Sequence, residues 1–197
     1  INDHKNELQK KENVEPDKFE QQKIFEKAFS VFYTCMEYHQ CRPVLLALFN
    51  QMQWLIPRFK LALFKYRSAV CGDLTYQLMR LCSSLSGSVR SAAIGSLLLC
   101  IKQNFEEIKN FSRMKLQTTI AVSKLFANEA LVFGTDSLQE ALKYVRTNAI
   151  NKFGKDKTKQ SSLGNEVKDL TARLEQIIED NLKMEEYSFD PETKADL

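Results

Sequence analysis

Glycine and proline are scarce in this sequence, 6 and 4 among 197 residues. An all-β chain of this size needs many more turn-forming residues, so that architecture is excluded. Histidine is scarcer still, with His4 and His39 the only two. Little is left for acid–base or nucleophilic chemistry built on imidazole. Long apolar runs are missing as well. The longest, Val44 to Phe49 and Leu97 to Ile101, fall far short of the roughly 20 residues that cross a bilayer. There is no GxGxxG, and Gly154-Lys155 lacks the upstream glycine and the following Ser/Thr of a phosphate-binding loop. No Gly-x-Ser-x-Gly nucleophile elbow occurs.

What is present is the composition of a folded, helical chain. Hydrophobic residues make up 44% and charged residues 27%, which excludes wholesale disorder. The net charge of +3 hides an asymmetry. Residues 165–197 carry four basic and ten acidic side chains, a net of −6, and residues 1–164 carry 24 basic and 15 acidic, a net of +9. A basic body could favour acidic partners or a membrane surface, although solvated helix faces carry such charge equally well. Five cysteines, Cys35, Cys41, Cys71, Cys82 and Cys100, have no framework spacing, and four lie in apolar helical runs. They read as small hydrophobes of a reducing, cytoplasmic compartment. The chain opens on Ile1 rather than Met and Leu197 ends a helical stretch, so it reads as a piece of a longer protein, in which no signal peptide would be expected.

The apolar spacing predicts about seven helices in antiparallel pairs, an all-α chain resembling an armadillo or HEAT array. Residues 1–15 are expected to be a flexible leader, 16–151 the array, 152–164 a basic linker, and 165–197 a capping helix with an acidic tail leading to a following domain. Pro16-Asp17 opens the first helix, and Pro43 starts a second over Val44 to Leu55, with Pro57 ending it. Arg58 to Arg67 then reads as an irregular basic stretch. A third helix runs to Leu85. Gly87 is expected to supply a left-handed stop, and Ser88 the cap of a fourth helix, Val89 to Ile108, which is apolar nearly all round. The fifth spans Ser112 to about Leu131. Ser137-Leu138-Gln139-Glu140 reads as a capping box that opens the sixth. In the last helix, from Asn165, the residues Val167, Leu170, Leu174, Ile177, Asn181 and Met184 form one seam.

No catalytic, cofactor-binding or metal-binding residue stands out, and no cofactor is expected. Cys35, His39 and Cys41 cluster, but a zinc site needs a fourth ligand and a closer cysteine pair. Arg58, Lys60, Lys65 and Arg67 alternate with Phe59, Phe64 and Tyr66, a pattern that suits nucleic-acid stacking or, equally, an apolar segment covering the core.

From the third helix onward several motifs stand in a recognisable order. They are Ser88-Val89-Arg90-Ser91, Asn104-Phe105-Glu106, Phe111 to Gln117, Ala121 to Leu125, Glu166 to Leu174, Asp190-Pro191-Glu192 and Asp196-Leu197. This order resembles the DOCK (dedicator of cytokinesis) family of guanine nucleotide exchange factors, and the zizimin-like branches more than the founding members. The resemblance covers about Asp73 to Leu197, with no counterpart assigned to residues 1–67. It implies the helical region between a lipid-binding C2-like domain and a catalytic exchange domain that begins near Leu197. It also implies a non-catalytic scaffold whose partners are adaptors, neighbouring domains and, through the whole protein, a Rho-family GTPase. The competing reading is a free-standing helical adaptor, for which nucleic acid is one candidate partner, disfavoured by the modest basic excess.

Overall fold

The computed structural model describes residues 16–37, 40–65, 69–127, 135–153 and 159–188, and all regular structure among them is helical. Eight helices follow one another: α1 Pro16–Glu37, α2 Arg42–Arg58, α3 Lys60–Phe64, α4 Val70–Cys82, α5 Gly87–Ile108, α6 Ser112–Ala127, α7 Thr135–Phe153 and α8 Lys159–Ser188. The expected leader, residues 1–15, and the acidic tail from residue 189 lie outside the described residues.

Pro43 sits in the first turn of α2, where a missing N–H costs nothing. Cys41, in extended conformation, is the N-cap. Pro57 was expected to end this helix, but it falls in the last turn and the helix runs one residue further. The Phe59 N–H still reaches the Leu55 carbonyl at 2.9 Å. The stretch expected to be irregular then contains α3, five residues whose Leu63 and Phe64 are buried.

Three capping expectations are corrected. Gly87 is not left-handed; it is the first residue of α5, and no described glycine has positive φ. The N-cap is Ser86, whose side chain caps nothing, so Ser88 does not act as the cap. The left-handed residue is Lys109, with φ 60°, at the other end of α5. Its N–H donates to the Phe105 carbonyl at 3.0 Å. Asn110 Oδ1 then accepts the Ser112 N–H at 3.0 Å and turns the chain into α6. Ser137 likewise lies inside α7 rather than at its start, and its Oγ accepts from Arg90 Nη1 at 3.5 Å. The last helix begins at Lys159, within the stretch expected to be linker, because Leu163 and Gly164 are buried ahead of Val167.

Packing follows a simple order. Helices α1, α4, α6 and α8 lie side by side in one layer, each against the next, and α2, α5 and α7 do the same in a second. The layers join most closely where α4 meets α5 and α7 meets α8, and α3 lies against α5. This is the arrangement of a stacked helical array, in which each element buries itself against neighbours on both sides. Nine of the 13 residues of α4 are buried. The expected all-round helix, α5, is thus matched by a shorter one that is more deeply enclosed. At Gly72 an added Cβ would stand 2.6 Å from Gln117 Oε1, so α6 approaches α4 closely there.

Buried threonines are satisfied within their own helices. Thr75 donates to the Cys71 carbonyl at 2.7 Å, and Thr118 to the Met114 carbonyl at 2.6 Å. An aromatic cluster closes the α1 end: Phe25 lies 4.4 Å from Phe29 and 5.3 Å from Phe59 between ring centroids. Together these bury the first helix pair onto the core.

Two substitutions test this packing. Leu97, only 2% exposed on α5, becomes a buried unpaired carboxylate in Leu97→Asp, which costs several kcal/mol and abolishes the cooperative melt. Gly87→Ala should leave thermal stability unchanged or raise it, since φ is helical and nothing lies within 4 Å of the added Cβ. A left-handed glycine would instead make that change cost about 1 kcal/mol.

Candidate interaction surface

Neither histidine lies among the described residues, so His39 is not placed beside Cys35 and Cys41. Cys35 is half-buried and Cys41 exposed. Among the described residues no group of three or more His, Cys, Asp or Glu is close enough to hold a metal ion. Cys71, Cys82 and Cys100 are buried thiols. Burial pushes all three up, Cys82 to about 12, and Arg113 beside Cys71 opposes part of that rise.

The phenylalanines of the aromatic–basic stretch are turned inward, while Arg58 and Lys65 are exposed. Phe64 is buried, and Phe59 packs on Phe25. Lys60 pairs with Glu107 at 3.1 Å, and the Phe64 carbonyl accepts from Arg113 Nη1 at 2.7 Å. Neither phenylalanine is presented as a stacking platform for bases, and Tyr66 and Arg67 lie outside the described residues.

Among the clefts between the described helices, two have polar and apolar walls together. The larger, about 470 Å³, lies where the end of α1, the start of α2 and the α4–α5 turn meet. Its polar wall is Gln40, Arg42, Arg80 and Ser83, and its apolar wall includes Met36, Leu45 and Val89. Arg80 is already engaged: Nε donates to Gln77 Oε1 at 3.0 Å and Nη2 to the Met36 carbonyl. The guanidinium thereby satisfies a carbonyl at the C-terminal end of α1 and ties α1 to α4. Burial lowers its pKa, with Tyr76 and Glu37 acting against that. The smaller cleft, about 250 Å³ between α5 and α7, is lined by Arg90, Ser91, Ile94, Glu140, Ala141 and Tyr144. Arg90 Nη1 in turn donates to the Ser84 carbonyl at 3.0 Å. These arginines lock turns and helix ends together.

The outer surface exposes several large apolar side chains. Trp54 on α2 is 79% exposed, Leu116 and Ile120 stand on the outside of α6, and Ile24 and Val31 on α1 are 67% and 62% exposed. Exposed aromatic and branched apolar side chains at helical spacing are the usual anchors of protein contacts. Reading apolar residues as core alone missed them. No helix among the described residues is long and apolar enough to cross a membrane.

No protein-family model matches the chain, and no solved structure matches it significantly. Its sequence is 35% identical over 149 residues to dedicator of cytokinesis protein 7 of Homo sapiens, covering 76% of this chain and 7% of that protein. It is 33% identical over 178 residues to dedicator of cytokinesis protein 11 of Danio rerio, covering 88% of this chain and 8% of that one. Dedicator of cytokinesis protein 9 of Mus musculus is 30% identical over 177 residues, with the same coverage. The longer matches reach into the first 67 residues, where the sequence alone offered no counterpart. The chain is therefore homologous to the dedicator of cytokinesis family, and it spans less than a tenth of these relatives' length.

The thiols give a test of the core's chemistry. In the native chain at pH 8, Cys41 should alkylate readily and Cys71, Cys82 and Cys100 should not. Because the folded values are raised, the stability these thiols contribute is fully present below their ordinary value of 9.0. It is lost as pH rises from there toward the folded value, about 12 for Cys82. Thermal melts between pH 8 and 10.5 should fall in midpoint, and Cys82→Ala should make that fall shallower.

Proposed function

We propose that this chain is a non-catalytic helical scaffold segment of a Rho-family guanine nucleotide exchange factor. On this reading it positions a lipid-binding domain on one side and an exchange domain on the other, and it offers its outer face to adaptor proteins. The observation that carries the reading is homology along 76–88% of the chain to a 7–8% slice of far longer relatives. The two-layer packing supports it physically. A stack of helices in which α4 and α5 are enclosed from both sides transmits position along its length, because close-packed interiors deform little. The parent protein would work in the cytoplasm and be recruited to the membrane periphery through its other domains. Nucleotide expulsion belongs to the exchange domain and needs no residue of this segment.

Fluorescent-GDP release from a Rac-type GTPase tests both halves of the proposal. The intact gene product should accelerate release, and residues 1–197 in large excess should leave the basal rate unchanged. A saturable acceleration by residues 1–197 would show that the segment is itself catalytic. An inactive intact product, tried across Rho-family GTPases, would remove the exchange-factor reading.

A further inference from the structure

Three segments of the chain converge on the cleft of about 470 Å³ between the end of α1, the start of α2 and the α4–α5 turn. Its volume lies within the range of sites that hold small ligands and side chains. One wall is apolar, formed by Met36, Leu45, Leu81 and Val89. The other is cationic and rich in hydroxyls, with Arg42, Arg80, Ser84 and Ser86. No acidic and no aromatic residue stands among the described residues that line it. Glu37, the carboxylate whose charge acts on Arg80, is exposed at the end of α1 and is not part of the wall. Two positive charges therefore share one opening with no negative charge in its lining.

The cationic wall holds more donors than the chain itself uses. Arg42 is exposed at the first position of α2, and no carboxylate pairs with it among the described residues. Arg80 engages Gln77 through Nε and the Met36 carbonyl through Nη2, which leaves Nη1 with no protein acceptor among the described residues. Ser84 Oγ accepts the Ser86 N–H at 3.3 Å, so its own proton is uncommitted. The Ser86 and Ser88 hydroxyls share one bond at 3.3 Å, which occupies one of their two protons. Ser83 is committed, donating to the Arg80 carbonyl at 2.6 Å. A guanidinium has N–H donors and no acceptor, so this wall lacks a negatively charged group with several oxygens. A carboxylate brings two oxygens and one charge. A phosphate monoester brings three oxygens and nearly two charges, and matches the wall better.

We propose that this cleft docks a phosphorylated segment of a partner protein. Its phosphate is held by Arg42 and Arg80, and the apolar side chain beside it is seated on Met36, Leu45 and Val89. Arginine clusters are the usual readers of such segments, because the guanidinium fork matches phosphoryl oxygens. The two-sided lining favours a peptide over a free anion, since a lone phosphate would leave the apolar wall in water. Leu85, between Ser84 and Ser86 of the lining, is 81% exposed and offers a further apolar contact beside the cleft. Nucleic acid fits less well, because no aromatic side chain is there for a base to stack on. A membrane surface calls for a larger basic cluster than two arginines.

Degenerate peptide pools test this on residues 1–197. The probes are short fluorescent peptides with randomised flanks and phosphoserine, glutamate or serine fixed at the centre, read by polarisation, and vesicles containing phosphatidylinositol phosphates. The phosphoserine pool should bind at least about tenfold tighter than the serine pool. Its retained fraction should be enriched in Leu, Ile or Met beside the phosphoserine. Arg42→Glu should abolish the preference without lowering the melting temperature, because an acidic residue suits the first turn of a helix. Arg42→Ala, which removes the guanidinium and adds no charge, should weaken binding too. Lys168→Glu, the same charge change at an exposed position of α8, should leave binding unchanged. A phosphoserine pool bound no better than serine, or bound equally by both Arg42 variants, overturns the proposal. Equal binding of the glutamate pool overturns it in favour of a carboxylate site, and binding of vesicles alone in favour of a lipid site. Any of these failures leaves the scaffold reading untouched, since that reading rests on homology.

Discussion

Helix α4 has almost no solvent face, and the rest of the molecule is arranged around that. Nine buried residues in 13 leave little of its surface for water, so α1, α5 and α6 must each take a side. Burial of that kind is worth about 1.5–3 kcal/mol for each large apolar side chain, and no shorter-range feature competes with it. The polar groups near α4 are organised to permit the burial. Thr75 turns its hydroxyl back to its own helix, Tyr33 spends its hydroxyl on the Val70 carbonyl, and Arg80 satisfies the end of α1. One group does not fit this pattern. Asn104 is fully buried on α5, and its amide meets no hydrogen-bond partner among the described residues, a cost the surrounding core must offset.

Charge plays a secondary part. Lys60–Glu107 links α3 to α5, Lys115–Glu166 links α6 to α8, and Arg146–Glu175 links α7 to α8. Each pair is partly open to solvent, so each contributes no more than about 1 kcal/mol. Their placement at helix contacts favours one register over others more than it holds the helices together. The division of labour is plain: apolar faces supply the energy, and arginines at helix ends fix how the turns sit.

Much of this was legible in the sequence, for identifiable reasons. Long periodic segments announced themselves, and Val89, Ala93, Leu97 and Ile101 are buried along one face of α5 as their spacing requires. Family membership was legible from the order of motifs after Asp73. Helix α3 was not, because five residues are too few to show a period and basic residues interrupt them. Gly87 misled because a glycine between two serines resembles a helix stop, whereas the chain turns through residues 83–86 and uses Lys109 for its left-handed position. The true start of α8 left a signal that went unread: Leu163 lies four residues before Val167, in phase with the seam. The second apolar stripe of α1 was hidden by its own chemistry. Ile24 and Val31 look like core residues in any one-dimensional reading, and only the helix's surroundings reveal that they face outward.

The account stands on α4 being the element that opens last, and native-state hydrogen exchange measures that directly. Slowly exchanging amides of α4 should open only with global unfolding, sharing its free energy and its denaturant dependence with those of α5. Amides of α1 and of the far end of α8, which have a neighbour on one side only, should exchange through smaller openings. If α4 instead exchanged through a local opening while α1 and α6 stayed protected, the layers would be held by something other than burial of this helix, and the account would be wrong.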